Sequence, residues 1–276
     1  MKVVLSIGAS DSLCASGIQG DIKTILRNGG YAVTAVTALN AKNTKEHKNK
    51  MPVTPEFLAA QLDAIFEDIP VDAVKVGMIT SVELMKVVID KLNQYKPANV
   101  VIDPVLPTKI NFIPLEDDAV KMLEEELLPL ADVITPDLRE AALLAGMEIE
   151  NESDLITASK IISEKYDCAV VSKGGLNAKT ANDLFFRDGY YKWFWGKAVT
   201  NPNNRGAGNS LSAALATNLA KGYEIDKAFK RAKDYVTAAL DDDTLNIGEG
   251  NGPINQNFGM NDDFIRVLSD EEISRA

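Results

Sequence analysis

Short apolar runs alternate along the chain with longer stretches in which apolar residues return every three or four positions. Residues 3–7 are a run of the first kind and read as a buried strand. They lead into the small polar turn Gly8-Ala9-Ser10-Asp11-Ser12, then a helix over about 17–27 that Asn28-Gly29-Gly30 stops. A strand at 32–39 and a polar loop follow. Thr54-Pro55-Glu56 then opens an amphipathic helix to about residue 66, with a threonine cap and a proline in the first turn. Further strands are predicted at 72–76, 99–102, 132–135 and 168–172, with helices at 81–95 and 115–128 and two more after residue 135. Residues 183–186 and 190–195 flank Arg187-Asp188-Gly189 as a hairpin, with Trp193 and Trp195 packing on one of its faces. A last long helix covers 223–240, and the segment beyond Gly248 is expected to lie along the surface or be partly loose.

Strands that alternate with helices require right-handed crossovers and a mostly parallel sheet. The prediction is an α/β fold, a single-domain three-layer αβα sandwich with a mostly parallel central sheet. The domain takes in residues 1–255 and a C-terminal tail 256–276. Ligands bind such sheets beyond the carboxyl ends of the strands. That rule selects Ser10-Asp11, residues 40–43, Gly77-Met78, Asp103-Pro104, Pro136-Asp137 and Lys173-Gly174.

Residues 200–222, TNPNNRGAGNSLSAALATNLAKG, combine a turn-forming opening with a small-residue helix that Gly222 ends. Asn209 or Ser210 is the expected N-cap. A helix N-terminus offers unpaired N–H groups and the positive end of a dipole, so Gly206 and Gly208 mark a place where an anion can approach the backbone. The plain alternative is a helix entered through a flexible turn.

The chain has 276 residues and a net charge of −11, which argues against a nucleic-acid partner but leaves room for a local phosphate site. It carries two cysteines in unlike contexts, Cys14 and Cys168, so neither a disulfide framework nor a zinc site is expected. The single histidine, His47, falls in a polar segment read as surface loop, which removes a histidine-based mechanism. No run is apolar enough to span a membrane, and a cytoplasmic location without membrane contact is expected.

The strand-end residues, together with residues 200–222, resemble the hydroxymethylpyrimidine/phosphomethylpyrimidine kinases of thiamine biosynthesis, in the ribokinase-like superfamily. The resemblance runs from Val3 to about Asn255. Its pieces are GASDS, SGIQGDIKT, TALNAKNT, KVGMI, VIDPV, ITPDLREA, SKGG, RGAGNSLSAALA and GNGPIN, in the family's order. It implies ATP and Mg²⁺ as cofactors, a small heteroaromatic substrate bearing a hydroxymethyl group, and a homodimer. Gly206, Ala207 and Gly208 would then form the anion hole for the transferred phosphoryl group, with Asn209 beside the acceptor hydroxyl. Lys173 would reach the ATP phosphates, with Asp137 and Gly208 also at the nucleotide. Asp103 and Glu140 would hold Mg²⁺, directly or through water. Asp21, Lys42, Met78 and Val105 would line the pyrimidine pocket.

The chain departs from the family pattern at several of these places. Asn209 stands where members carry cysteine and wider relatives aspartate, and an amide takes no proton near neutral pH. The resemblance therefore implies weakened transfer, which Asn209→Asp would be expected to restore. Lys42 replaces a glutamine, Asp137 an asparagine and Arg205 a histidine. Leu13-Cys14-Ala15-Ser16-Gly17 replaces SGGAG, and Ile110-Asn111 replaces SG. Two alternatives stay open: a pyridoxal-type vitamer kinase of the same fold, and a catalytically silent relative that acts by binding.

Overall fold

The computed structural model describes residues 1–79, 81–106, 117–174, 176, 180–196 and 198–260. Its centre is a nine-stranded sheet in the order β3-β2-β1-β4-β5-β6-β7-β8-β9. The strands are β1 (Lys2–Asp11), β2 (Gly30–Lys42), β3 (His47–Pro52), β4 (Ala73–Val76), β5 (Val100–Ile102), β6 (Val133–Ile134), β7 (Ala169–Ser172), β8 (Asp183–Arg187) and β9 (Tyr190–Phe194). From β2 through β7 every pairing is parallel; β3 at one end and the β8–β9 hairpin at the other run antiparallel.

Alternate side chains of the central strands feed two cores, because successive residues of a strand face opposite sides. Leu5, Val74, Ile102, Ile134 and Val170 point to the layer of α2 (Pro55–Phe66), α3 (Val82–Tyr95), α4 (Asp117–Met122), α5 (Leu138–Ala145) and α6 (Glu152–Tyr166). Val4, Ala73, Val101, Val133 and Ala169 point to the layer of α1 (Gly17–Arg27), α7 (Ala207–Ala220) and α8 (Ile225–Asp241). These layers and the parallel centre are the expected three-layer αβα sandwich.

Five local expectations change. Residues 8–11, expected in a turn, continue β1 to Asp11, paired with β2 past a register shift between Gly8 and Ser10. The polar loop after β2 contains β3, HKNKMP, which pairs with the far end of β2. His47 therefore sits in an edge strand, its Nε2 3.1 Å from Asn40 Oδ1. Lysines on an edge strand discourage further pairing and hide the alternation that marks a strand. The 115–128 helix divides: α4 gives way to a π turn at Leu123–Leu127 and a 3₁₀ turn at Leu128–Leu130. Trp193 and Trp195 stack with ring centroids 5.5 Å apart, but Trp195 stays 63% exposed while Phe194 enters the core. The segment after Gly248 returns into the body, with Ile254 and Gln256 buried and Pro253 bridged to Arg205. The rest of the predicted tail, from residue 261, lies outside the described residues.

Candidate active site

The helix α7 begins earlier than its side chains suggest. Its N-cap is Gly206, with φ of +88°, and Ala207 is already helical, so Asn209 and Ser210 lie inside the first turn. The reason is tertiary. A Cβ on Gly206 would stand 1.8 Å from Ala15 O, so only glycine fits against that loop, and only glycine adopts this φ readily. No side chain caps the first turn. The Ala207 N–H makes only a long bond to Asn204 O, at 3.4 Å, so the rest of the turn and the dipole favour an anion.

Lys173 arrives at that turn from the end of β7. A Cβ on Gly208 would come within 3.3 Å of Lys173 Nζ, so the second glycine leaves space for the ammonium. Lys173 Nζ donates to Asp103 Oδ1 at 2.6 Å. Burial works to lower the lysine's pKa, but the carboxylates of Asp103 and Glu140 more than offset it and leave it raised. Asp103 follows β5, is 7% exposed, and holds its Oδ2 only loosely, 3.5 Å from the Ser212 hydroxyl.

Asp137 and Glu140 form the capping box of α5. The Asp137 side chain accepts from the N–H of Arg139 and Glu140, and Glu140 Oε2 accepts from the Asp137 N–H at 2.8 Å. Glu140 Oε1 accepts from Leu106 N–H at 3.2 Å. Burial, helped by the charges of Asp103 and Asp137 and opposed by Lys173, pushes the Glu140 carboxyl up to about 7. Among the described residues, no three acidic, histidine or cysteine side chains form a metal-binding cluster. The two carboxylates fit a magnesium ion that keeps most of its waters, since Glu140 spends both oxygens on backbone N–H groups and Asp103 keeps one oxygen weakly engaged.

On the other side of Asp103 and Asn209 lies a pocket of about 170 Å³, lined by Asp11, Lys42, Lys75, Met78, Val105 and Asn209 among others. Lys42, Met78 and Val105 line it. Asp21 does not: it is fully buried behind Asn209, on the inner side of α1. Its Oδ2 accepts from Ser6 Oγ at 2.6 Å and Lys75 Nζ at 2.9 Å, and its Oδ1 from Asn209 Nδ2 at 2.7 Å. Burial raises the Asp21 pKa, and Lys75 only partly counters it. Asn209 Oδ1 in turn accepts from Lys75 Nζ at 2.8 Å. An ammonium can only donate and a carboxylate only accept, so this orientation of the amide alone satisfies both neighbours. Lys42 is also spoken for, with Nζ 3.0 Å from Asp11 Oδ2 and 3.0 Å from Ser16 Oγ.

Two charged pocket residues, Asp11 and Lys75, have no role from the sequence. Asp11 was visible only as a strand end. Lys75 carried a signal, because an ionisable residue inside the otherwise apolar strand Ala73–Val76 needs a partner or a function. Arg205 donates through Nη1 to Asn43 O at 3.2 Å and pairs its backbone with Pro253 and its neighbours. Gly175, Ile110 and Asn111 lie outside the described residues.

Residues 11–255 match the family model described as phosphomethylpyrimidine kinase. The hydroxymethylpyrimidine/phosphomethylpyrimidine kinase of Rhizobium meliloti (strain 1021) is 39% identical over 255 residues, covering 91% of this chain and 96% of its own. The thiamine biosynthesis bifunctional protein ThiED of Geobacter sulfurreducens is 37% identical over 94% of this chain, which spans 53% of that longer protein. A crystal structure of an ADP complex of Bacillus subtilis pyridoxal kinase superposes with a TM-score of 0.86 at 34% identity, covering 93% of this chain and 97% of that one. The identity and coverage of the first of these, and the span of the family model, reach the same conclusion as the strand-end residues: the chain belongs to the hydroxymethylpyrimidine/phosphomethylpyrimidine kinase family of phosphotransferases.

Proposed function

We propose that the chain transfers the γ-phosphoryl group of ATP to the hydroxymethyl group of a small pyrimidine, or to the phosphomethyl form of the same ring. The observation that carries this reading is one juxtaposition. Lys173 and the uncapped first turn of α7 meet at Gly208, and the 170 Å³ pocket opens beside the next residue, Asn209. Phosphates and acceptor would therefore meet across Asn209. Phosphoryl transfer depends mainly on positioning and on stabilising spread negative charge, which N–H groups and an ammonium supply.

Asp103 and Glu140 are the residues that would hold Mg²⁺, through water, and the ion when bound neutralises charge on the nucleotide phosphates. Lys173 would exchange part of its contact with Asp103 for a phosphate oxygen. Asp137 supports this end indirectly, as the cap that orients Glu140. A homodimer in the cytoplasm goes with the same reading.

A second reading, a pyridoxal-type acceptor, rests on Lys42, a donor in the pocket where the family's glutamine would both donate and accept. The bond of Lys42 to Asp11 weakens it, because the ammonium is already neutralised.

The decisive measurement is phosphate transfer followed by mass spectrometry of each acceptor, with Mg-ATP binding followed by calorimetry. Transfer to hydroxymethylpyrimidine is expected to exceed transfer to pyridoxal. Lys173→Ala is expected to weaken Mg-ATP by about 1.5–3 kcal/mol, the range for a charge-assisted hydrogen bond. If wild-type protein binds no Mg-ATP at millimolar nucleotide, the kinase reading fails. A preference for pyridoxal would select the second reading.

A further inference from the structure

Lys75 occupies the middle of β4, where its neighbours are apolar and buried, and its side chain is 1% exposed. Stability alone does not explain an ammonium there. Replacing a buried ion pair with well-packed apolar side chains is often neutral or stabilising. Two of its three N–H groups go to Asp21 Oδ2 at 2.9 Å and Asn209 Oδ1 at 2.8 Å. Those two acceptors are themselves tied together through Asn209 Nδ2 and Asp21 Oδ1, so the ammonium is held at a fixed point. Despite its burial, Lys75 is one of the residues lining the 170 Å³ pocket, next to Asn209. A Cβ on Gly77 would come within 2.7 Å of Lys75 Nζ, so a glycine there leaves room for the ammonium.

We infer that Lys75 is the catalytic residue that meets the acceptor hydroxyl, donating its third N–H to that oxygen. Asp21 and Asn209 act on it as positioning residues. The inference rests on the kinase reading above and assigns the activation that an amide at 209 cannot provide. In the transfer, the acceptor oxygen forms a bond to the γ-phosphorus as the bond from that phosphorus to the bridging oxygen of ADP breaks. The hydroxyl proton leaves to a phosphoryl oxygen and from there to water. Lys75 keeps its own protons and stabilises the negative charge that grows on the attacking oxygen, a role for which one fixed donor is worth about a hundredfold in kcat.

The test uses Lys75→Met, and Lys75→Met combined with Asp21→Asn so that no unpaired carboxylate is left in the core. Circular dichroism and Mg-ATP calorimetry establish that each variant is folded and retains the nucleotide end. The expected result for the double variant is a kcat about a hundredfold lower, with KM for Mg-ATP and for hydroxymethylpyrimidine changed by no more than about threefold. A double variant that keeps kcat within about threefold of wild type would overturn the role of Lys75, as would a loss carried mainly by KM, which marks a structural support. Wild-type protein that transfers phosphate to no hydroxymethyl acceptor would overturn the kinase reading, and this inference with it.

Discussion

At the scale of single residues, Asn209 carries the largest change in expectation. From sequence it is a missing base, and Asn209→Asp would restore one. In the folded chain its amide bridges a carboxylate and an ammonium, donating to Asp21 and accepting from Lys75. An aspartate keeps the second bond and loses the first, placing two carboxylates in contact around one ammonium. Asn209→Asp is therefore expected to leave phosphate transfer unchanged or lower, and to lose about 1–3 kcal/mol of stability at pH 7.5, the cost of an unsatisfied, partly buried charge. The new carboxyl would have its folded pKa raised above its unfolded one by Asp21. Its stabilising protonated state is thus present at low pH and lost as pH rises, so the deficit should shrink at pH 5. Urea denaturation at the two pH values and an acceptor assay check this. A tenfold gain in rate would mean that the carboxylate reaches the acceptor hydroxyl after all.

At the scale of elements, the capping box of α5 couples helix stability to the nucleotide end. Glu140 closes that box and has its carboxyl pushed up to about 7, against an ordinary value of 4.5. The folded state therefore holds a proton that the unfolded chain releases, and stability falls as pH rises through the window from 4.5 to about 7. Glu140→Gln keeps an N3 acceptor for the Asp137 N–H, gives up the bond from Leu106 N–H at every pH, and cannot ionise. Without nucleotide or magnesium, the variant should gain on wild type by about 1–2 kcal/mol between pH 5 and pH 7.5, less than the full linkage because Lys173 shares the charge. Chemical denaturation across that range measures it; parallel curves would show that Glu140 ionises normally. The start of α7 is likewise set by tertiary contact. Polar side chains at 209 and 210 suggest a cap, but the close approach of Ala15 O to Gly206 sets the true boundary.

At the scale of the whole molecule, nine strands bring the ends of β1, β4, β5 and β7 to one edge, and α7 crosses behind them. Residues far apart in sequence close the site: Gln256 donates to Ala15 O at 2.9 Å, beside the loop that admits Gly206. The segment after Gly248 is thus part of the support of the anion turn rather than a loose end. The far side of β2 and β3 is different. Leu39 and Met51 are partners across those strands and remain 44% and 59% exposed. If the proposed homodimer covers this apolar pair, sedimentation velocity should give a species of twice the chain mass, and Leu39→Glu with Met51→Glu should convert it to a single chain. A wild-type protein that sediments as a single chain at micromolar concentration removes the homodimer from the reading.

The sequence by itself determined the layer architecture, most of the strands, the capped helix Pro55–Phe66 and the helix Val82–Tyr95. Period, turn formers and caps are local physics, written within a few residues of where they act. It also carried the family, because the strand-end motifs keep their order along the chain. What only the tertiary structure decided is how the polar groups pair. Asp21 and Asn209 are 188 positions apart, Lys75 and Asn209 134, and Lys42 reaches Ser16 across 26. No periodicity encodes such pairings. A buried donor or acceptor must find a partner wherever the fold brings one, and that requirement turned Asn209 from an absent base into the bridge that holds Lys75.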